Sequence, residues 1–374
     1  MLPNPENETR SVALSAAHGP HPRKLRGVTS VIAGRFETLA REVLDDGWTP
    51  EDAPAPSPDT AVAEERARSI IASNDSPDIP FERSINPYRG CEHGCAYCYA
   101  RPSHAYLELS PGLDFETKLF AKTNAVDLLR AAFAKPGYAV KPIAFGTNTD
   151  CYQPAERRYR IMRGILEVFA ECRHPLTIVT KSALIERDLD LLAPMAAQNL
   201  VRAFISINTL DRGLARRLEP RAASPQRRLD VLRALARAGI PCGVMVAPVI
   251  PALTDKSIEE VLEAAAGAGA DAAGYIVLRL PNEVRPIFRE WLTVHTPLRA
   301  EHVMSAVREM RGGRENDPRF GARMRGTGTL AELIAQRFDI ACRRFGLNRE
   351  RRGQVPLECS LFRPPAPSGQ GQLF

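Results

Sequence analysis

Between residues 140 and 280, apolar runs of strand length alternate with amphipathic helical stretches. That rhythm constrains the fold more than any other feature. It predicts strands at Val140–Phe145, Leu176–Thr180, Val201–Ile207, Cys242–Ala247 and Ala273–Leu280. It predicts helices at Ala155–Cys172, Leu184–Ala197, Pro225–Ala238 and Ile258–Ala268. Alternation at roughly 30–40-residue intervals argues an α/β fold with a parallel sheet and right-handed crossovers. The strands are continuously apolar, as expected when helices cover one face and a barrel core the other.

The flanks read differently. Residues 1–75 form a leader expected to be poorly ordered, with a linker-like run at Pro50–Pro58. Within it, Val28–Leu44 is compatible with a helix or a strand-like arm, and Ala61–Ala72 with a short helix. The core is expected at residues 76–300, a basic helical extension at 301–360, and a flexible tail at 361–374. Helices are predicted at Glu301–Arg311 and Leu330–Phe345, separated by a Gly- and Arg-rich loop at Gly312–Gly328.

The net charge of +6 is unevenly placed. Residues 1–80 hold 8 basic and 13 acidic side chains, and the remainder 42 and 31. A basic body suits a polyanionic partner such as nucleic acid, although an Arg-rich composition has the same effect. No apolar run reaches the ~18–20 residues of a membrane helix. The nearest, Ile240–Leu253, contains Pro241, Pro248 and Pro251. The start, MLPNPENETR, has no apolar signal core, and eight cysteines are too sparse for a disulfide scaffold. A cytoplasmic setting is the expectation.

Three of those cysteines fall together in Arg89-Gly-Cys91-Glu-His-Gly-Cys95-Ala-Tyr97-Cys98-Tyr99. Clustered thiols indicate a soft metal centre or a redox site. A zinc knuckle normally draws four ligands from two pairs. Here Cys151, Cys172, Cys242, Cys342 and Cys359 stand apart, so His93 is the fourth ligand that zinc would need. Three cysteines on one loop suit a [4Fe–4S] cluster with one iron open to an exogenous molecule.

The C-x3-C-x-aromatic-C pattern, with Tyr97 as the aromatic, resembles the radical S-adenosylmethionine (radical SAM) superfamily. SINPYRGCEHGCAYCYARPSH, TNTDCYQPAE, TKS, SINTLD, EPRAASPQRRL and AGIPCGVMVAPVIPALTD resemble its spore photoproduct lyase and DNA repair photolyase branch, over residues 80–282. The resemblance implies a partial (β/α)6 TIM-like barrel. It implies a [4Fe–4S] cluster on Cys91, Cys95 and Cys98, with S-adenosyl-L-methionine as cofactor. It also implies a flavodoxin- or ferredoxin-type electron donor. In such enzymes the reduced cluster cleaves S-adenosylmethionine to a 5′-deoxyadenosyl radical, which abstracts hydrogen from the substrate. The cofactor carries the chemistry and the protein positions it.

Functional groups of such barrels sit at the C-terminal strand ends. Thr149 and Asp150, after the second strand, are expected to face the cofactor amino group, or else to satisfy a turn. The resemblance implies that Lys181 and Ser206 bind its carboxylate. Ala247 and Pro248 are expected to form an apolar shelf for adenine, with Tyr97 beside it. Cys151 is a candidate for the thiol that returns hydrogen in lyases of this branch, although its alignment falls off that position. Glu219, Arg221, Arg227 and Arg228, and the set Arg157, Arg158, Arg160 and Arg163, either line a phosphate path or form solvated, self-paired runs.

The tail residues Gln370, Leu373 and Phe374 resemble a peptide that docks into the bacterial sliding clamp. The expected function is radical chemistry on nucleic acid, of a DNA repair or lyase type. The alternatives are the same chemistry on a protein or metabolite, and a non-catalytic metal-binding protein of nucleic acids.

Overall fold

The computed structural model describes residues 26–28, 32–36, 59–349 and 356–366. Its ten strands are β1 (Ala61–Glu65), β2 (Ile71–Ser73), β3 (Arg83–Ile85), β4 (Tyr88–Arg89), β5 (Lys118–Lys122), β6 (Ile143–Phe145), β7 (Leu176–Thr180), β8 (Val201–Ser206), β9 (Cys242–Val249) and β10 (Ala272–Val277). Seven form one sheet in the order β10-β9-β8-β7-β6-β3-β2. The pairs from β10 through β3 are parallel, and β2 caps the edge antiparallel to β3. Six parallel strands with helical crossovers match the parallel sheet that the alternation predicts and the partial (β/α)6 barrel that the resemblance implies. A second sheet, β1-β5-β4, lies where the chain enters the cysteine loop.

The core follows from the apolar strands. Ile85, Ile143, Phe145, Leu176, Ile178, Ala203, Ile205, Val244 and Val246 are buried in one cluster, together with the inner faces of helices Ile161–Cys172, Pro225–Arg237 and Ile258–Gly267. Helix Ile161–Cys172 places Ile161, Met162, Ile165, Leu166, Val168 and Phe169 on that face.

Several local expectations are corrected. Ala61–Ala72 is not a helix. Ala61–Glu65 pairs parallel with Lys118–Lys122, and Ile71–Ser73 pairs with β3, so strand partners override local helix propensity. The predicted helix Ala155–Cys172 is two helices, Glu156–Tyr159 and Ile161–Cys172, broken at Arg160 with φ +51°. The Glu156 carboxylate caps the second by accepting the N–H groups of Met162 (3.0 Å) and Arg163 (3.3 Å). Of the arm at Val28–Leu44, the described residues are neither helix nor strand. Its remainder, the rest of the leader before residue 59, and the tail residues Gln370, Leu373 and Phe374 lie outside the described residues.

After Pro281 the two expected helices, Ala300–Glu309 and Thr329–Phe345, are present, and a further helix precedes them. Helix Val284–His295 turns Val284, Ile287, Phe288, Trp291 and Leu292 inward. With helix Ala300–Glu309 it packs on Cys95, Ala96 and Tyr97 of the cysteine loop. Helix Thr329–Phe345 covers β10 and helix Ile258–Gly267, its Phe338 ring 4.6 Å from that of Tyr275. Among the described residues, no helix is long and apolar enough to cross a membrane.

Candidate active site at the strand ends

The cysteine loop is held by backbone-directed bonds. Gly90 turns the chain at φ +73°, where a Cβ would lie 2.9 Å from the Phe115 carbonyl oxygen. The Cys91 N–H donates to that same carbonyl at 2.9 Å, and the Ala96 N–H to Leu218 at 3.0 Å. Gln153 bridges the loop, accepting from the Glu92 N–H (2.9 Å) and donating to the Gly90 carbonyl (3.0 Å).

Arg101 is the keystone. Its fully buried guanidinium donates twice to the Cys95 carbonyl (2.9 and 2.7 Å), to the Pro111 and Gly112 carbonyls, and to Glu116 at 2.5 Å. The Glu116 carboxylate also accepts the Gly27 N–H at 3.1 Å, which docks the N-terminal segment on the loop.

Two of the thiols are strongly perturbed. Burial, the facing Asp150 and the two companion cysteines push the Cys91 thiol up. Burial pushes the Cys95 thiol up to about 12, with Lys181 opposing and Glu219 and Cys98 adding. A cationic iron centre removes that penalty, since it deprotonates coordinating thiols outright. Among the described residues, no three His, Cys, Asp or Glu side chains converge as one metal ion requires. In a multi-iron cluster each thiolate holds a different iron, so such convergence is not needed. His93 instead faces Asp150, Nδ1 to Oδ2 at 3.4 Å, which leaves zinc without its fourth ligand. An all-thiol donor set on one braced loop fits a [4Fe–4S] cluster.

The strand ends supply the rest. Lys181, directly after β7, sets its Nζ 6.0 Å from the centre of the Tyr97 ring. Burial works against its ammonium, but Cys95 and Glu219 outweigh it and raise the pKa. Lys181 therefore carries a charge that faces the loop. Tyr97 donates its hydroxyl to Glu219, which also pairs with Arg228. That ion pair is all but inaccessible, with side chains 0% and 1% exposed. Burial opposes the Glu219 charge, but Arg228 and Lys181 hold its carboxyl below the usual range. Arg228 also donates to the Ser206 carbonyl at 2.9 Å.

Asp150 is a buttress. Its carboxylate accepts the Tyr152 N–H (2.9 Å), the Thr180 hydroxyl (2.7 Å) and the Lys181 N–H (2.8 Å), and so ties the ends of β6 and β7 to His93. Burial would raise its pKa; His93 and these donors hold it well below the usual range. The Thr149 hydroxyl donates to the Tyr88 carbonyl at 3.1 Å. Both side chains therefore brace the turn, the second of the two roles expected of them. Ser206 donates to the Ala247 carbonyl at 3.2 Å, which joins two of the expected cofactor residues; the Ala247–Pro248 bond is cis. The last candidate is Cys151. It is fully buried in the barrel's hydrophobic core, where burial pushes its thiol far up, and it is not presented at the opening.

The arginine sets divide. Glu219 and Arg228 are paired but not solvated; Arg227 with Glu186 is the exposed pair. Arg221 pairs with Glu92 on the cysteine loop. Arg163 is committed to Asp188 and Asp190. Asn208, two residues beyond β8, escaped the sequence reading. Its Oδ1 is buried without a hydrogen-bond partner among the described residues, while its amide nitrogen lies 3.5 Å from the Tyr97 hydroxyl. A polar residue just past an apolar strand, in Ser206-Ile-Asn208, is the signal that marked Lys181.

The family profile of the radical SAM superfamily matches residues 85–265. An uncharacterized protein of Mycobacterium tuberculosis is 38% identical over 287 residues, covering 76% of this chain and 83% of its own. This chain belongs to the radical SAM superfamily. That superfamily uses a [4Fe–4S] cluster and S-adenosylmethionine, and its enzymes require an electron donor. An uncharacterized protein of Methanocaldococcus jannaschii is 30% identical over 46% of this chain and 61% of its own. Among solved structures, a spore photoproduct lyase variant superposes with a TM-score of 0.55 at 18% identity, covering 76% of this chain and 80% of that one. The lyase complexed with dinucleoside spore photoproduct gives 0.53 at 17%, with the same coverage. These likenesses establish the radical SAM fold.

Proposed function

We propose that this radical SAM protein is an enzyme acting on nucleic acid, with Cys91, Cys95 and Cys98 holding the cluster. When bound, the cluster and S-adenosylmethionine supply one-electron cleavage of the sulfonium and hydrogen abstraction from the substrate. The observation that carries the reading is that Lys181, at the C-terminal end of β7, reaches Tyr97 and Cys95 of the three-cysteine loop.

Each side chain has a task there. Lys181 offers an ammonium to the cofactor carboxylate, with Ser206 beside it. Tyr97 is pinned by Glu219, and Ala247 and Pro248 offer adenine an apolar shelf. Asn208 presents its unpaired carbonyl oxygen to a ribose hydroxyl or amino group. Asp150 and Thr149 hold Lys181 and the loop in register. Arg101 and the helices beyond Pro281 exclude water from the cluster side.

Nucleic acid as substrate is supported by the basic body beyond residue 80 and by the likeness to a lyase solved with a dinucleoside lesion. With Cys151 in the core, a hydrogen return of the lyase kind has no thiol from that position. The test is anaerobic. Protein reconstituted with iron and sulfide and reduced with dithionite is given S-adenosylmethionine, with and without ultraviolet-irradiated DNA. Wild type is expected to release 5′-deoxyadenosine, faster with the damaged DNA, and the triple C91A/C95A/C98A variant none. Absence of iron uptake by the wild type refutes the cluster assignment. Turnover indifferent to nucleic acid refutes the substrate class and favours a protein or metabolite.

A further inference from the structure

The residues beyond β10 bring a knot of arginines to the rim of the site. Arg279 lies two residues past β10, and its Cζ sits 5.4 Å from the centre of the Tyr99 ring. Tyr99 directly follows Cys98 and is 45% exposed, so this rim is open to a ligand. The Arg279 guanidinium is poorly satisfied. Among the described residues its Nε is buried without a hydrogen-bond partner, and its Nη1 meets the Met324 sulfur at 3.8 Å.

The carboxylates nearby are already taken. Asp78 is held in a fork by Arg323, at 2.5 and 2.8 Å, and also accepts the Gly321 N–H at 2.9 Å. Asp317 is held by Arg319, at 2.6 and 3.0 Å. Arg311, buried behind them, donates to the Ala322 carbonyl at 2.5 Å and the Leu278 carbonyl at 2.7 Å. Among the described residues, Arg279, Arg311, Arg319 and Arg323 thus share Asp78 and Asp317. Each like charge tells on its neighbour: burial and Arg279 push Arg311 down to about 10, and burial with Arg323 lowers Arg279.

A partly buried cation without a counter-ion is costly to hold, and it persists where a ligand supplies the missing charge. A guanidinium presents a planar fork of donors that matches phosphate oxygens. Tyr99 adds an aromatic face beside it. Like Lys181, Arg279 is a cation just past an apolar strand, here one residue further on, in Val277-Leu-Arg279.

We propose that Arg279, in the field of Arg311 and Arg323, is a phosphate-binding subsite that holds a phosphate of the substrate beside Tyr99. The subsite rests on the nucleic-acid reading only for the source of that phosphate. A free nucleotide offers the same group as a strand backbone, and the experiment separates them.

The full chain, with its cluster reconstituted, is compared with R279Q, R279K and R233Q. Arg233 pairs with Asp230 on an exposed helix face and serves as the charge control. Thermal unfolding is followed in sodium phosphate and in chloride of equal ionic strength. Binding of a fluorescent single-stranded oligodeoxynucleotide is followed by anisotropy, with a mononucleotide as competitor. Wild type is expected to gain thermal stability from phosphate beyond that from chloride. R279Q is expected to lose that gain and to bind the oligonucleotide at least about tenfold more weakly, the worth of a charged hydrogen bond. Its melting temperature in chloride should equal or exceed that of wild type, because a strained charge has been removed. R279K, which keeps the charge without the fork, should fall between, and R233Q should match wild type.

Should R279Q not fold, R279K decides alone, since unchanged phosphate stabilisation and binding in R279K refute the subsite. Oligonucleotide affinity in R279Q within about twofold of wild type refutes the subsite while leaving the nucleic-acid reading intact, because a charged bond is worth more than that. Phosphate stabilisation that depends on Arg279, with the mononucleotide bound but no oligonucleotide, upholds the subsite and refutes the nucleic-acid reading.

Discussion

Replacing Glu219 by Gln tests the electrostatic centre of the site. The substitution preserves shape and removes one charge from a cluster in which Arg228 and Lys181 both face it. Arg228 is then a buried cation without its partner, since the pair is 1% and 0% exposed. Removing one member of a buried pair costs about 3–5 kcal/mol. Across 374 residues, an unfolding entropy of ~2.1 cal/mol/K per residue totals roughly 0.8 kcal/mol/K. The melting temperature should therefore drop by about 4–6 °C at neutral pH.

Differential scanning calorimetry, with the cluster loaded and with it stripped, separates loss of the pair from loss of iron. Arg130→Gln, which breaks the exposed pair with Glu171, is the control and should shift Tm by about 1 °C or less. The pH dependence has a definite sign. A carboxylate held below its usual pKa stabilises fully above the unfolded value, and that stabilisation is lost as pH falls through the folded one. The gap between wild type and E219Q should be constant from neutral pH down to about 4.5 and close below it. A shift no larger than the control, or a gap that widens in acid, refutes the reasoning.

Three further outcomes follow from the geometry. Gly146→Ala should destabilise by more than about 2 kcal/mol, read as Tm, because left-handed backbone alone costs about 1–2 kcal/mol and the clash adds to it. Its φ is +76°, and the new Cβ would lie 1.8 Å from the Val179 carbonyl oxygen. Cys151→Ala should keep 5′-deoxyadenosine formation and lose only about 1 kcal/mol of stability, as for a small core truncation; lost turnover with a full iron content would restore this thiol to the chemistry. Arg101→Lys cannot reproduce the paired bonds to the Cys95 carbonyl, so iron and sulfide per chain should fall well below wild type while the far-ultraviolet circular dichroism is unchanged.

Much of the molecule was legible without coordinates because its signals are local. Continuous apolar runs at fixed spacing mark the parallel strands, since a strand buried on both faces admits few polar side chains. Three cysteines within eight residues mark the metal loop, because thiols so close on one loop bind a soft centre. Lys181 stood out because a cation directly after such a strand is forced to the barrel rim. Helix Val284–His295 was just as legible, with Val284, Ile287, Phe288, Trp291 and Leu292 on one helical face, and was passed over only because the strand rhythm had ended.

Tertiary structure decided what pairing over long separations controls. Ala61–Glu65 became a strand because Lys118–Lys122 offered a partner more than fifty residues away. Thr149 and Asp150 turned out to be braces because the acceptor and donors they satisfy come from Tyr88, Thr180 and Lys181. Glu219 and Arg228, expected either on a phosphate path or in a solvated, self-paired run, are instead a buried pair, with Tyr97, 122 residues from Glu219, bonded to its carboxylate. Cys151 sits in the same segment as the residues that brace the site, yet it points into the core. Neighbouring side chains leave a backbone in different directions, and only the packing of the other strands settles which direction is the site. The charge balance around Arg279 is of the same kind, since whether a guanidinium has a partner depends on which carboxylates the fold has already committed elsewhere.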